Sequence, residues 1–253
     1  MVLAVDIGNS NVVVGCFEGE QILFTERLAT NRNSTAMEYL VLIKTVLELN
    51  GFVRQEFEGG IISSVVPVVT NAMRDAIRKL IGKEPLVIGP GLKTGLKIRI
   101  DNAAQLGSDR VTDAVAAVEQ YPCPLIIIDM GTATTISVVD KDKNFIGGLI
   151  MPGLRISAEA LASRGSQLPQ VSLDPPKKAI GRNTVEGMRS GIILGTASTI
   201  DGLIDRIEEE LGYSCTVIAT GGNSKIVTPH CNHDIIWDDQ LLLKGLMHIY
   251  YKN

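Results

Sequence analysis

A chain of 253 residues, 45% hydrophobic and 21% charged, is sized for one large or two small domains with ample core. Its net charge of −4 and the absence of a basic run interleaved with aromatics argue against nucleic-acid binding. No apolar run approaches the roughly 18 residues that cross a bilayer, and no basic region precedes the first apolar segment as in a signal peptide. The four cysteines (Cys16, Cys123, Cys215, Cys231) lack Cys-x-x-Cys spacing, which fits a reducing cytoplasmic setting better than a disulfide framework. His230-Cys231-Asn232-His233 reads as a polar loop without further ligands at a zinc-site spacing.

In chain order, the patterning predicts strands over 2–6, 11–17 and 21–28, with Glu18-Gly19-Glu20 as the turn between the last two. Ser34 is the expected N-cap of a helix ending at Asn50-Gly51. Ile61 to Val66 reads as a buried strand, and Pro67 opens a helix through about Gly82. A short strand at 86–88 precedes a Gly-rich loop carrying Lys93, Lys97 and Arg99, most simply a solvated basic face. A helix is expected over 102–120, with Ala103, Ala104, Val111, Ala114, Val115 and Val118 as its apolar stripe. Tyr121-Pro122-Cys123-Pro124 breaks it and marks the expected boundary between lobes 1–121 and 122–253. The second half repeats three strands at 125–129, 133–140 and 144–150, and Pro152 is expected at the first position of the next helix. A Pro-rich connector leads to Asn183-x-x-Glu186, a capping-box-like start for a long helix ending near Gly212. A strand over 215–219, the turn Thr220-Gly221-Gly222-Asn223, a helical turn, a short strand at 234–237 and a helix from about Asp238 to Tyr251 complete the chain.

Two stretches organise this pattern. Val2 to Asp6 and Leu125 to Asp129 are apolar strands ending in a carboxylate, each followed two residues later by Gly8 or Gly131 and then by a second strand. A glycine there lets backbone N–H groups converge on an anion, and the carboxylate sits where a cation bound to that anion would lie. Two copies at matching offsets point to a duplicated α/β fold, β-β-β-α-β-α in each lobe, with a cleft between the lobes. There is neither a P-loop nor a Gly-x-Gly-x-x-Gly after a strand, so phosphate handling falls to these two turns. Such turns supply the positioning and charge neutralisation that phosphoryl transfer needs.

Asp6-Ile7-Gly8-Asn9-Ser10-Asn11 and Asp129-Met130-Gly131-Thr132-Ala133-Thr134 resemble the two phosphate motifs of the acetate kinase/sugar kinase/Hsp70/actin superfamily. Within it, Gly107-Ser108-Asp109-Arg110 resembles the Gly-x-Asp-Arg motif of type III pantothenate kinases, as do Gly147 to Gly153 and Gly181 to Thr184. The likeness runs nearly end to end; Ser10 stands where that family often has Thr, and Ser108 where it often has Ala.

The resemblance implies duplicated ribonuclease H-like (actin-like ATPase) lobes and transfer of the γ-phosphoryl of ATP to pantothenate, the first step towards coenzyme A. It makes Asp109 the general base, held ionised by Arg110, and gives Gly107, Ser108, Asp109, Arg110 and Thr184 to pantothenate. ATP falls to Asp6, Ile7, Gly8, Asn9, Ser10, Asn11, Val12, Val13, Thr132, Gly221 and Gly222. Asp129 is implied to hold a monovalent cation (K⁺ or NH₄⁺) and Asp6 to organise Mg²⁺. A cytoplasmic homodimer is implied too, contacting through the second lobe. Two rivals stay open at this point: a non-catalytic regulatory relative, described as a transcriptional accessory factor, and a sugar kinase of the same superfamily. Asp6, Asp109 and Asp129 together speak against the first, and Gly107 to Arg110 against the second.

Overall fold

The computed structural model describes residues 1–52 and 56–253. The chain forms two compact units, interleaved in sequence: Met1–Leu96 with Asp101–Ala116 and Leu241–Asn253, and Lys97–Ile100 with Ala117–Gln240.

In the first unit, β1 (Val2–Ile7), β2 (Asn11–Glu18) and β3 (Gln21–Ala29) form an antiparallel meander. α1 (Ala36–Leu49) leads to β4 (Gly59–Ser64), parallel to β1, and α2 (Pro67–Ile81) leads to β5 (Leu86–Val87). The sheet order is β3-β2-β1-β4-β5. β1 is central and covered on both faces, which is why it reads as an unbroken apolar run and not as an alternating one. Leu3, Val5 and Ile7 pack with Tyr39 and Ile43 of α1 and with Met73 and Ile77 of α2. Helix α1 is capped by Thr35, not Ser34: Thr35 Oγ1 accepts from Glu38 N (3.4 Å) while Glu38 Oε2 accepts from Thr35 N (2.6 Å). Ser34 N instead donates to Asn31 O, closing the preceding turn. α2 starts at Pro67 and stops at a left-handed Gly82, as expected.

β6 (Lys97–Ile98) lies inside the stretch read from sequence as a basic loop and joins β9 of the second unit's sheet in parallel. Two residues give too short a pattern to detect. The helix expected over 102–120 is α3 (Ser108–Gln120) alone; Ala103–Gln105 is a separate 3₁₀ turn capped by Asn102, and Ala103 and Ala104 are exposed.

The second unit repeats the meander with β7 (Leu125–Met130), β8 (Ala133–Val139) and β9 (Asn144–Pro152). β10 (Thr216–Thr220) runs parallel to β7, and β11 (Ile236–Trp237) parallel to β10. The order β11-β10-β7-β8-β9 mirrors that of the first sheet, with β6 added beyond β9. This is the duplicated ribonuclease H-like α/β topology. Unit 2 departs from a strict β-β-β-α-β-α order in one respect: α4 (Leu154–Arg164) and α5 (Thr184–Leu211) both lie between β9 and β10, where unit 1 has α1 alone. Pro152 is the last residue of β9 and Gly153 the N-cap of α4, so the expected Pro-at-first-turn start is replaced by an extended glycine cap. Asn183 caps α5 through Glu186 N (2.9 Å), but Glu186 Oε2 accepts from Arg182 N one residue ahead of the cap, giving a displaced capping box. α6 (Ser224–Val227) follows β10.

α7 (Leu241–Tyr251) starts three residues later than expected because Asp238 is otherwise engaged. Its N–H donates to Ala219 O, and its carboxylate accepts from Tyr121 Oη (2.8 Å) and Gln240 N (3.1 Å). Burial and that carboxylate push the Tyr121 phenol up to about 12. α7 belongs to the first unit, packing on β1 and β4. A side chain at Gly15 would run into Leu243, and one at Gly59 into Tyr250; Phe17 meets the Tyr250 and Tyr251 rings edge-on.

Candidate functional site

In unit 1, Asp6 is the next-to-last residue of β1 and is largely buried. The chain turns through 8–11 by Gly8 N donating to Asn11 O at 2.9 Å. A Cβ at Gly8 would sit 3.1 Å from that same oxygen, which is the local reason for the glycine. Thr30 braces the turn from β3's end: its Oγ1 donates to Gly8 O (2.7 Å) and its N–H to Ser10 O (3.0 Å). Arg32 holds the Asn9 side chain at 3.0 Å. Asn9, Ser10 and Asn11 are exposed at the tip, whereas Ile7 and Val12 have their side chains in the core and Val13 is half-buried. Only the backbone of Ile7 and Val12 is placed to meet a ligand.

The same sheet end carries the Gly107–Arg110 motif. Asp6 is level with Ser63 in the parallel β1–β4 register. Ser63 Oγ lies 3.0 Å from Ser108 Oγ, which accepts from Ser64 N (3.0 Å) and is hydrogen-bonded to Ser64 O (3.0 Å). Ser108 thus ties the first turn of α3 to the end of β4, and Asp6 and Asp109 are brought to one end of this sheet. Gly107 makes room for the next carboxylate: a Cβ there would lie 2.5 Å from Asp109 Oδ1. Asp109 Oδ1 accepts from Arg110 N at 2.7 Å in the first turn of α3.

Arg110 is not the sole influence on the Asp109 carboxyl. Burial is the largest influence and pushes its carboxyl above the ordinary value, while the N–H and charge of Arg110 pull it back only in part. Arg110 is lowered by its own burial and raised by Asp109. A carboxyl held this way is a stronger base than an exposed aspartate, which suits proton abstraction from an alcohol.

In unit 2, Asp129 is the next-to-last residue of β7, and Gly131 N donates to Ala133 O at 3.0 Å. This turn is one residue shorter than its counterpart: Ile7 pairs with Val12, but Met130 pairs with Thr134. Thr132 is exposed at its tip. Gly153, the N-cap of α4, backs the turn so closely that a Cβ would clash with Thr132 O. Gly221, at φ +86°, backs Asp129 in the same way, since a Cβ would collide with Asp129 Oδ1. Asn223 completes the contact, with N to Met130 O (3.1 Å) and Nδ2 to Gly131 O (3.2 Å). Asp129, Met130, Gly131, Gly221 and Asn223 are therefore in close approach, with Thr132 and Gly222 beside them in the chain. Thr184 is exposed in the first turn of α5, next to its cap Asn183.

The Ser63-Ser64 pair carried no site signal beyond being polar residues at the end of an apolar strand. Gly153 and Asn223 lay inside a motif and a turn read from sequence, but their close backbone approach to the Asp129–Gly131 turn is not revealed by spacing.

The model of the type III pantothenate kinase family matches residues 2–206. A type III pantothenate kinase of Bacillus cytotoxicus is 42% identical over 253 residues, covering 100% of this chain and 97% of that protein. Among solved structures, a conserved Baf family transcriptional activator from Campylobacter jejuni superposes with a TM-score of 0.62 at 20% identity, covering 99% of this chain and 98% of that one. An activator of 2-hydroxyisocaproyl-CoA dehydratase from Clostridium difficile, with bound ADPNP, superposes at 0.58 and 15% identity over 98% and 93%. The last two share the fold. The family match and the full-length relative settle membership: this chain belongs to the type III pantothenate kinase family.

Proposed function

We propose that this chain transfers the γ-phosphoryl group of ATP to the primary hydroxyl of pantothenate, opening coenzyme A synthesis. The observation that carries the reading is the half-buried Asp109 carboxyl at the start of α3, its basicity raised by partial burial and its place fixed by Gly107 and Ser108. Asp109 takes the hydroxyl proton as the oxygen attacks the γ-phosphorus and the bond to the ADP oxygen breaks. Arg110 offers a planar fork of donors to the substrate's carboxylate or amides. Gly107 and Ser108 meet pantothenate through their backbone, because the Ser108 hydroxyl is engaged with Ser63 and Ser64. Thr184 is the further pantothenate residue.

ATP is held by Asp6, the 8–11 turn with Val12 and Val13, Thr132, and the Gly221-Gly222 turn. Both phosphate turns offer oxygen donors of the kind hard cations take, so Asp6 fits a Mg²⁺ accompanying the nucleotide and Asp129 a monovalent cation. These ions neutralise phosphate charge when bound. The chain acts as a cytoplasmic homodimer with contacts through the second unit. No helix among the described residues is long and apolar enough to cross a membrane.

ADP release by the purified chain, measured with pantothenate, with glucose and with neither, tests the reaction. Pantothenate-dependent ADP is expected; its absence rejects the reading, and glucose-dependent ADP would favour a sugar kinase. Buffers lacking K⁺ and NH₄⁺ should abolish turnover, and indifference to them would remove the monovalent-cation assignment.

A further inference from the structure

Trp237, the one tryptophan of the chain, is 39% exposed at the end of β11. Its indole Nε1 donates to Ser224 Oγ at 3.0 Å. Ser224 is fully buried, and its Oγ donates in turn to Gly221 O at 2.6 Å, with Ser224 N on the same carbonyl at 3.2 Å. Lys225 Nζ stands 4.1 Å from the centre of the indole ring. A serine hydroxyl has one proton, and an indole N–H can only donate. The indole therefore claims a lone pair of Ser224 Oγ and leaves its proton to Gly221 O.

Gly221 is gripped from the other side too. It sits against Asp129, with Met130 N and C each 2.7 Å from where its Cβ would be, and Asn223 ties the turn to Met130 and Gly131. The turn is thus clamped between the Asp129–Gly131 backbone and a Ser224–Trp237 relay.

We propose that Trp237, acting through Ser224, is a positioning residue that holds the Gly221-Gly222 turn in its nucleotide-binding conformation. The inference rests on the reading of that turn as part of the ATP site. It assigns to an exposed aromatic residue a share of the affinity for ATP and none of the chemistry. Lys225 over the ring keeps the indole from turning away from Ser224.

Trp237→Phe keeps the ring beneath Lys225 but removes the donor, and Ser224→Ala removes the relay. Each should raise KM for MgATP about fivefold, the worth of roughly one net hydrogen bond, with kcat and KM for pantothenate moving far less. The double variant should be little worse than either single one, because both break the same chain. Wild-type indole fluorescence should change as MgATP is titrated in. Wild-type KM for MgATP in both variants would overturn the proposal. So would a parallel rise in both KM values accompanied by a lower thermal midpoint, which marks general loosening of the fold. If the wild type binds MgATP but leaves pantothenate untouched, the assigned reaction falls while the relay stays in play. Calorimetric affinities of the same two variants for MgATP then decide it by the same fivefold criterion. If the wild type does not bind MgATP, both readings fail together.

Discussion

At Asp109 the local environment, and not the neighbouring residue type, decides the chemistry. Sequence alone suggests an aspartate held ionised by the adjacent Arg110; burial works against that cation and leaves the carboxyl above its ordinary value. Asp109→Asn should reduce turnover by roughly 10²–10⁴ while leaving MgATP binding in place, checked by ADP release and by calorimetry. The same shift has a sign for stability. An acid with a raised folded-state pKa binds more protons folded than unfolded, so it lowers stability as pH climbs through the window between its two values. Asp109→Asn should therefore melt above the wild type at pH 7.5, with the gap closing as the pH approaches the ordinary carboxylate value of about 4. A lower melting temperature at neutral pH would contradict the burial argument. Arg110 pulls the Asp109 value down, so Arg110→Met should move the acid limb of the kcat/KM profile to higher pH, beyond whatever uniform loss of rate it causes. The acidic and glycine residues of these motifs were legible in the sequence because each has a single-residue reason. The Ser63–Ser108 link was not, because it joins positions 45 residues apart through hydroxyls that any turn could use.

Elements were legible where period and caps agreed. β1 and β7 declared themselves as apolar runs ending in Asp, and α2 by Pro67 and Gly82. Boundaries failed where tertiary partners competed with local signals: Asp238 attracts Tyr121 and delays α7, and Pro152 continues β9 instead of opening α4. β6 escaped because two residues carry no period. Packing between elements explains one glycine that neither a turn nor a positive φ requires. Gly245 in α7 faces Thr112 of α3 so closely that a Cβ would overlap the Thr112 carbonyl. Gly245→Ala should gain about 1 kcal/mol of helix propensity but lose more to overpacking, roughly 1–3 kcal/mol. A net drop in the denaturation midpoint of the pure chain is expected, and a rise would show that α7 can shift at no cost. Asn183→Ala should cost about 1 kcal/mol through the lost cap of α5, read by the same denaturation series.

Across the molecule, the duplication itself was readable from two Asp-x-Gly turns at matching offsets, and the matched order of the two sheets follows from it. The differences between the copies were not. The second turn is a residue shorter, and the helical connection is doubled by α4 and α5. Nor does any local pattern announce that 241–253 folds with the first unit, since an amphipathic helix specifies a buried face but not its partner.

That return of α7 to β1 and β4 reverses the order of completion during translation. By the time Gln240 has been added, every residue of the second unit exists, whereas the sheet begun at Val2 still lacks the helix that covers it. A chain truncated at 240 and released from the ribosome should accordingly resist protease over 125–220 and be cut within 1–96, and resistance over 1–96 should appear once residues 241–253 are restored. The half synthesised first is the half finished last.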